Sequence, residues 1–155
     1  MSQKVLIICA SYHHQNTKKI CDAFAEEMDA VVVNADEFNE SMLDDFDLIG
    51  FGSGIYNGQH HKSIMDLVSK LSFQDEKRTF IFSTSTFALT SMHKQLENML
   101  RQKGFIIIAE LACKGFMDYS FTKYLFGGIN KGRPNESDIE QAKAFANRLK
   151  GRIND

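Results

Sequence analysis

Five short apolar runs punctuate this chain, and the hydrophobic residues between them recur at helical spacing. The runs are Lys4–Cys9, Val31–Asn34, Asp47–Gly52, Thr79–Ser83 and Phe105–Leu111. None alternates apolar with polar positions as a strand with one wet face does, so each reads as a strand buried on both sides of a parallel sheet. Between the first two runs, Ile20, Ala23, Phe24 and Met28 repeat at threes and fours among lysines and acids, which predicts an amphipathic helix over Thr17–Met28. Ile64, Leu67, Val68 and Leu71 do the same from Lys62, and so do Leu96, Met99 and Leu100 from Met92, ahead of Gly104, a predicted C-cap. A last stripe, Ile139, Ala142, Phe145, Ala146 and Leu149, predicts a helix over Ser137–Leu149, shortly after the only proline, Pro134.

Strand and helix alternating five times predicts a doubly wound α/β sheet with helices on both faces and right-handed crossovers. No linker or repeat interrupts the pattern, so residues 1–155 are read as one domain. Ligands of such sheets gather outside the carboxyl ends of the strands. The residues just after each run are therefore the informative ones.

After the first run comes Ser11-Tyr12-His13-His14-Gln15-Asn16-Thr17, at the point where a strand hands over to a helix. A helix N-terminus presents unpaired N–H groups and a partial positive charge, and holds a phosphate without needing a lysine. Ser11, Asn16 and Thr17 add donors, and His13 and His14 can add partial positive charge. The alternative is that Asn16 or Thr17 simply caps the helix while the histidines stay solvated. The third run ends in Gly52-Ser53-Gly54-Ile55-Tyr56-Asn57-Gly58, then Gln59-His60-His61-Lys62. Three glycines in seven residues let backbone approach a flat ligand, and Tyr56 is the one large ring among them, suited to stacking. An ordinary turn with Tyr56 on the sheet edge is the alternative. Beyond the fourth run, Ser83-Thr84-Ser85-Thr86-Phe87 supplies hydroxyls for the rim of a heterocycle.

Composition removes several classes of function. A hydrophobic fraction of 43% and a charged fraction of 25% are those of an ordinary globular protein, and no apolar stretch reaches the ~20 residues of a membrane span. Nothing near Met1 resembles a secretory signal, so a cytoplasmic location is expected. Cys9, Cys21 and Cys113 form no CxxC pair and read as buried small hydrophobes, with no metal site expected. A formal net charge of −2 offers no basic field for nucleic acid.

Taken together, the three loops resemble those of the flavodoxin-like flavoproteins. There the first loop wraps the phosphate of FMN and the next two embrace its ring. Here His14-Gln15-Asn16-Thr17 keeps the family's Asn-Thr pair but places Gln15 where glycine is usual. Asp47-Leu-Ile-Gly-Phe-Gly-Ser-Gly-Ile-Tyr56, His60-His61-Lys62-Ser63, Phe82-Ser-Thr-Ser85 and Gly127-Gly-Ile-Asn-Lys-Gly-Arg-Pro-Asn135 are similar to a group of short, single-domain flavodoxin family proteins. The resemblance implies a five-stranded parallel sheet of order 2-1-3-4-5 with FMN as cofactor. Ser11, Tyr12, His13, His14, Gln15, Asn16 and Thr17 would hold the phosphate. Ser53, Gly54, Ile55, Tyr56, Asn57 and Gly58 would line one side of the ring and Thr84, Ser85 and Thr86 the other. A peptide flip at Asn57-Gly58 would accompany electron uptake. No residue is assigned a catalytic role.

The implied function is electron transfer between partner proteins or to a small acceptor, by a monomer or homodimer. The near-cancelling charge, with His13, His14, His60, His61 and Lys62 as potential cations near the site, differs from the acidic surfaces of electron carriers. Two alternatives follow: a small NAD(P)H:quinone-type FMN reductase, and a cofactor-less binding module in which Gln15 blocks the phosphate loop. A response-regulator receiver shares the architecture but needs acids after the first strand and an aspartate after the third. Cys9-Ala10-Ser11 and Gly52-Ser53 stand there instead. Phe116, Tyr119, Phe121, Tyr124 and Phe126 form an aromatic cluster in the long segment before the last helix, read as folding back over the ring site or as a partner surface.

Overall fold

The computed structural model describes residues 3–10, 16–85, 87–114 and 134–153. The described residues form six strands, β1 (Val5–Ala10), β2 (Val31–Asn34), β3 (Leu48–Tyr56), β4 (Gln59–His60), β5 (Arg78–Ser85) and β6 (Ile106–Lys114). The helices are α1 (Asn16–Met28), α2 (Lys62–Ser69), α3 (Lys94–Gln102) and α4 (Glu136–Ile153). The five main strands run parallel in the order β2-β1-β3-β5-β6, the order that the flavodoxin-like resemblance implies, and β4 pairs antiparallel with β3. Among the described residues no helix is long and apolar enough to cross a membrane.

One face of the sheet packs Val5, Ile7, Phe80 and Phe82 against Phe24 of α1 and Phe145 of α4. The other packs Leu6, Ile8, Phe51 and Ile81 against Ile64 and Val68 of α2 and Leu96 and Leu100 of α3. Burial on both faces explains the continuous apolar runs of β1, β3 and β5. The expectation fails for β2 and β6, which are largely half-exposed. They are the ends of the sheet path, and a strand with one neighbour keeps a wet edge.

The helix ends follow their sequence signals. Asn135 and Asp138 cap α4 reciprocally: Asp138 N–H donates to Asn135 Oδ1 at 3.0 Å and Asn135 N–H to Asp138 Oδ2 at 2.8 Å. Gly104 ends α3 with φ +90°, and the N–H groups of Phe105 and Gly104 donate to Leu100 O and Arg101 O, both at 3.0 Å. This is the paired bonding of a Schellman cap. The helix predicted from Met92 begins two residues later, after a 3₁₀ turn over Thr90–His93.

The glycines of β3 have a different job from the one the sequence suggested. In register, Gly50 lies beside Phe80 and Gly52 beside Phe82. A Cβ on either glycine would overlap atoms of the neighbouring ring. Phe24 meets both rings edge-on, with centroids at 5.7 Å to Phe80 and 4.9 Å to Phe82. Gly52 therefore makes room for the core rather than for a ligand, which corrects the earlier reading. The space a Cβ would take at Gly54 is bounded by the Tyr56 ring, 3.2 Å away.

Candidate functional site

The carboxyl ends of β1, β3 and β5 lie side by side, with Ala10 in register with Ser53 and Gly54 with Thr84. Of the predicted phosphate loop, Ser11, Tyr12, His13, His14 and Gln15 lie outside the described residues, as do Thr86 and the aromatic cluster Phe116–Phe126. Asn16 opens α1, whose first turn carries no acidic side chain. The partial charge of that helix end is thus left without an internal counter-charge in its first turn. Thr17 is buried, and its hydroxyl bonds that of Thr84 at 2.9 Å. This bond ties the start of α1 to the end of β5, so one of the two hydroxyls donates within the protein rather than to a ligand.

Ser53, Gly54, Ile55 and Tyr56 belong to β3, not to a loop as expected. The strand continues because Asn57 and Gly58, with φ +53° and +79°, make the two-residue turn of a β3–β4 hairpin in which Tyr56 pairs with Gln59. Positive φ at both central positions is the demand of a type I′ turn, and Asn-Gly is its preferred dipeptide. The hairpin holds Tyr56 partly exposed, edge-on to His61 at 5.2 Å. His61 in turn caps α2, its Nδ1 accepting from Ser63 N–H at 3.0 Å. On the next loop, Ser85 Oγ accepts from Ala88 N–H at 3.1 Å, and Ala88 sits at φ +51°. Beside it Phe87 and Leu89 are 70% and 47% exposed. Phe87 is a candidate ring beyond those expected from the sequence. Its signal was a large apolar residue placed directly after the hydroxyl run.

Beneath the hairpin lies a polar layer that the sequence did not reveal. Ser53 and Ser83 are cross-strand neighbours, both fully buried. Ser53 Oγ lies 2.7 Å from Gly54 O, 2.9 Å from the N–H of His61 and 2.9 Å from His60 Nδ1. A hydroxyl has one proton and two lone pairs. All three contacts are satisfied only if Ser53 donates to Gly54 O and accepts from His61 N–H and from His60 Nδ1–H. His60 Nε2 is then a bare acceptor, and it is buried without a partner among the described residues. Burial, with His93 nearby, lowers the His60 pKa to about 3. The expectation of a cation at His60 is therefore corrected: this imidazole is neutral.

His93 stands across from it, the rings 5.0 Å apart. Its Nε2 lies 2.6 Å from Ser83 Oγ and its Nδ1 3.0 Å from Glu110 Oε1. Burial lowers His93 to about 4, against an opposing pull from the Glu97 charge. Burial first, then the hydrogen bond and charge of Glu97, raise Glu110 to about 7, while Arg101 acts to lower it. At neutral pH the His93–Glu110 contact is a hydrogen bond to an uncharged imidazole, not an ion pair. The signal for Glu110 was a carboxylate inside an aliphatic strand; His93, at the foot of α3, had none. Among the described residues no cluster of three or more His, Cys, Asp or Glu could hold a metal ion. The three cysteines are free and buried, as expected.

A groove of about 460 Å³ runs along the hairpin between α2 and α3, lined by Tyr56, Asn57, His60, Lys62, Met65 and Met99 among others.

Known proteins are similar to this chain in sequence or in fold. An uncharacterized protein of Methanocaldococcus jannaschii is 50% identical over 145 residues, which are 92% of this chain and 95% of that protein. The flavodoxin, WrbA-like protein from Agrobacterium tumefaciens superposes with TM-score 0.68 at 16% identity, covering 99% of this chain and 98% of that one. Rubredoxin oxygen:oxidoreductase from Desulfovibrio gigas gives TM-score 0.69 at 18% identity over 97% of this chain but only 36% of its own. These two structural likenesses show the fold. The sequence profile of the flavodoxin domain matches residues 6–120, and with the sheet order and hairpin described above it follows that the chain belongs to the flavodoxin domain family.

Proposed function

We propose that this protein binds FMN at the carboxyl ends of β1, β3 and β5 and transfers electrons between partner proteins or to a small acceptor. The observation that carries the reading is the coincidence, at one end of the sheet, of a helix N-terminus with no acid in its first turn, Tyr56 at the end of β3 and Phe87 in the loop after β5. An anion suits the first and a flat apolar ring suits the second. Bound there, FMN supplies one-electron and hydride chemistry, while the protein orients it and sets its potential. The segment Ser11–Thr17 would hold the phosphate. Tyr56 of the hairpin and the Thr84-Ser85 end of β5, with Thr86 and Phe87 next in sequence, would flank the ring. The hydroxyls of Ser53, Thr17 and Thr84 serve mainly to brace these elements, through the internal bonds already described. Gln15 in place of glycine should lower the affinity if that position needs positive φ.

Adding the protein to FMN should quench the flavin's fluorescence and leave the complex yellow; undiminished fluorescence at saturating protein would favour the binding-module alternative. A second reading, a small reductase acting on a quinone-like acceptor, draws on the 460 Å³ groove that shares Tyr56 and Asn57 with the proposed ring wall. NADPH oxidation by the loaded protein that accelerates on adding a quinone would distinguish it from the carrier.

The hairpin turn gives a further test. Valine at position 58 would have to adopt φ near +79°, a region costly to β-branched residues. Gly58→Val should therefore remodel the Asn57-Gly58 peptide and shift the reduction potentials of bound FMN. Unmoved potentials, measured by redox titration, would remove the hairpin from any part in tuning them.

A further inference from the structure

The polar layer beneath the hairpin leaves one group unexplained. His60 Nε2 is buried and has no partner among the described residues. An acceptor sealed from water and left unbonded is costly and calls for a reason.

The direction in which this nitrogen faces follows from the other end of its ring. Ser53 lies two residues beyond Phe51 in β3 and shares its face of the sheet, the face covered by α2 and α3. His60 Nδ1 bonds Ser53 Oγ there at 2.9 Å. Nε2, on the far side of the imidazole, is therefore turned away from the sheet and toward the two helices. In that direction His60 is part of the wall of the groove of about 460 Å³, with Tyr56 of the hairpin, Met65 of α2 and Met99 of α3.

The walls define what fits. Tyr56, Met65 and Met99 offer a ring and two polarizable thioethers, which suit the face and edges of an aromatic ring. Lys62 and Asp66, on α2, bring one charge of each sign to the groove, so an uncharged ligand is favoured. His60 adds a directional demand. With Nδ1–H donating to Ser53, its Nε2 only accepts. Burial first, then the nearby His93, holds its pKa at about 3, so it remains a neutral acceptor across the physiological range. Such a nitrogen bonds an O–H or N–H group and gains nothing from a carbonyl oxygen.

We propose that the groove between the hairpin, α2 and α3 binds a small, uncharged aromatic ring bearing a hydrogen-bond donor, with the donor on His60 Nε2 and the ring among Tyr56, Met65 and Met99. Nε2 is covered in the structure, and entry of the donor calls for rotamer changes of the unbranched Met65 and Met99 side chains, which adapt readily. Two chemistries supply such a donor, a phenolic hydroxyl and a ring carboxamide. A quinone carries acceptors only, so within the reductase reading the groove holds the hydroquinone in preference to the quinone. The site itself does not depend on FMN, and its test is made without flavin.

Nitrogen NMR of histidine-labelled protein reads the proposed bond directly. Phenol and nicotinamide carry the two donors, and anisole has the ring of phenol without its O–H. At least one of the two donors should move the His60 Nε2 signal to lower frequency, as expected of a ring nitrogen that accepts a hydrogen bond, and should bind about 10-fold tighter than anisole. A response to phenol alone assigns the hydroxyl, and one to nicotinamide alone assigns the carboxamide. His60→Asn, which keeps an amide N–H for Ser53 but has no Nε2, identifies the signal and should reduce the donor's affinity to that of anisole. Met99→Trp, which fills the groove from α3, should weaken all three probes while leaving the Nε2 signal of the probe-free protein in place. An Nε2 signal unmoved by both donors overturns the proposal, as does equal binding of phenol, nicotinamide and anisole. An Nε2 already at the frequency of a bonded nitrogen before any probe is added, and unchanged by it, means that a buried water satisfies His60, and overturns it too.

Discussion

Gly52→Ala is expected to destabilise the protein by about 3 kcal/mol, toward the upper end of what overpacking costs in well-ordered cores. The added methyl would overlap the edge of the Phe82 ring, which is fully buried and held between Phe24, edge-on at 4.9 Å, and Phe80, stacked at 6.0 Å. The control is a size exchange. Phe82→Leu removes the edge of the ring that the methyl would strike, so the double variant Gly52→Ala/Phe82→Leu should be more stable than the sum of the single effects by at least ~1 kcal/mol. Urea unfolding of the four proteins measures this. Strict additivity would mean that the glycine serves some other purpose, including the close approach of a ligand.

Acid should act through His60. Its pKa of about 3 in the fold lies below the 6.5 of a free imidazole, so between those values the unfolded chain binds a proton that the folded chain refuses. Stability from this residue is constant above about pH 6.5 and falls as the pH drops below it. At about 1.4 kcal/mol per pH unit, some 3 kcal/mol should be lost through His60 by about pH 4.5. Glu110 works in the opposite sense. Its raised pKa makes the folded state bind protons first, so its contribution improves as the pH falls from about 7 toward 4.5. Comparison with His60→Asn isolates the histidine. That variant should lose stability at pH 7, where it leaves a gap in the layer, and should show an acid limb shallower by about 3 kcal/mol. Parallel acid limbs would mean that His60 is not held neutral by its burial.

These two cases mark where the sequence was readable and where it was not. Among the described residues periodicity placed the five main strands and four helices, since burial on two faces leaves the continuous apolar runs of β1, β3 and β5 and burial on one face leaves a helical stripe. The extent of β3 was misjudged because Asn57-Gly58 signals a turn without saying how tight it is. A two-residue turn lets Ser53–Tyr56 stay in the strand and adds β4 beyond it. The purpose of Gly50 and Gly52 was hidden because it depends on register with Phe80 and Phe82, some thirty positions on. The Ser53–His60 and Ser83–His93–Glu110 contacts were hidden for the same reason. A serine in a strand and a histidine before a helix look ordinary until the sheet brings them within 3 Å.

FMN binding at this site depends most on the helix N-terminus that begins at Asn16. The direct measurement is a pair of fluorescence titrations, one with FMN and one with riboflavin, which has the same ring and no phosphate. Binding of FMN at least ~100-fold tighter than riboflavin, equivalent to about 2.8 kcal/mol, is the predicted result, with the gap narrowing when inorganic phosphate competes. Equal affinities for the two flavins, or no binding of either, would contradict the claim that this end of α1 holds a phosphate.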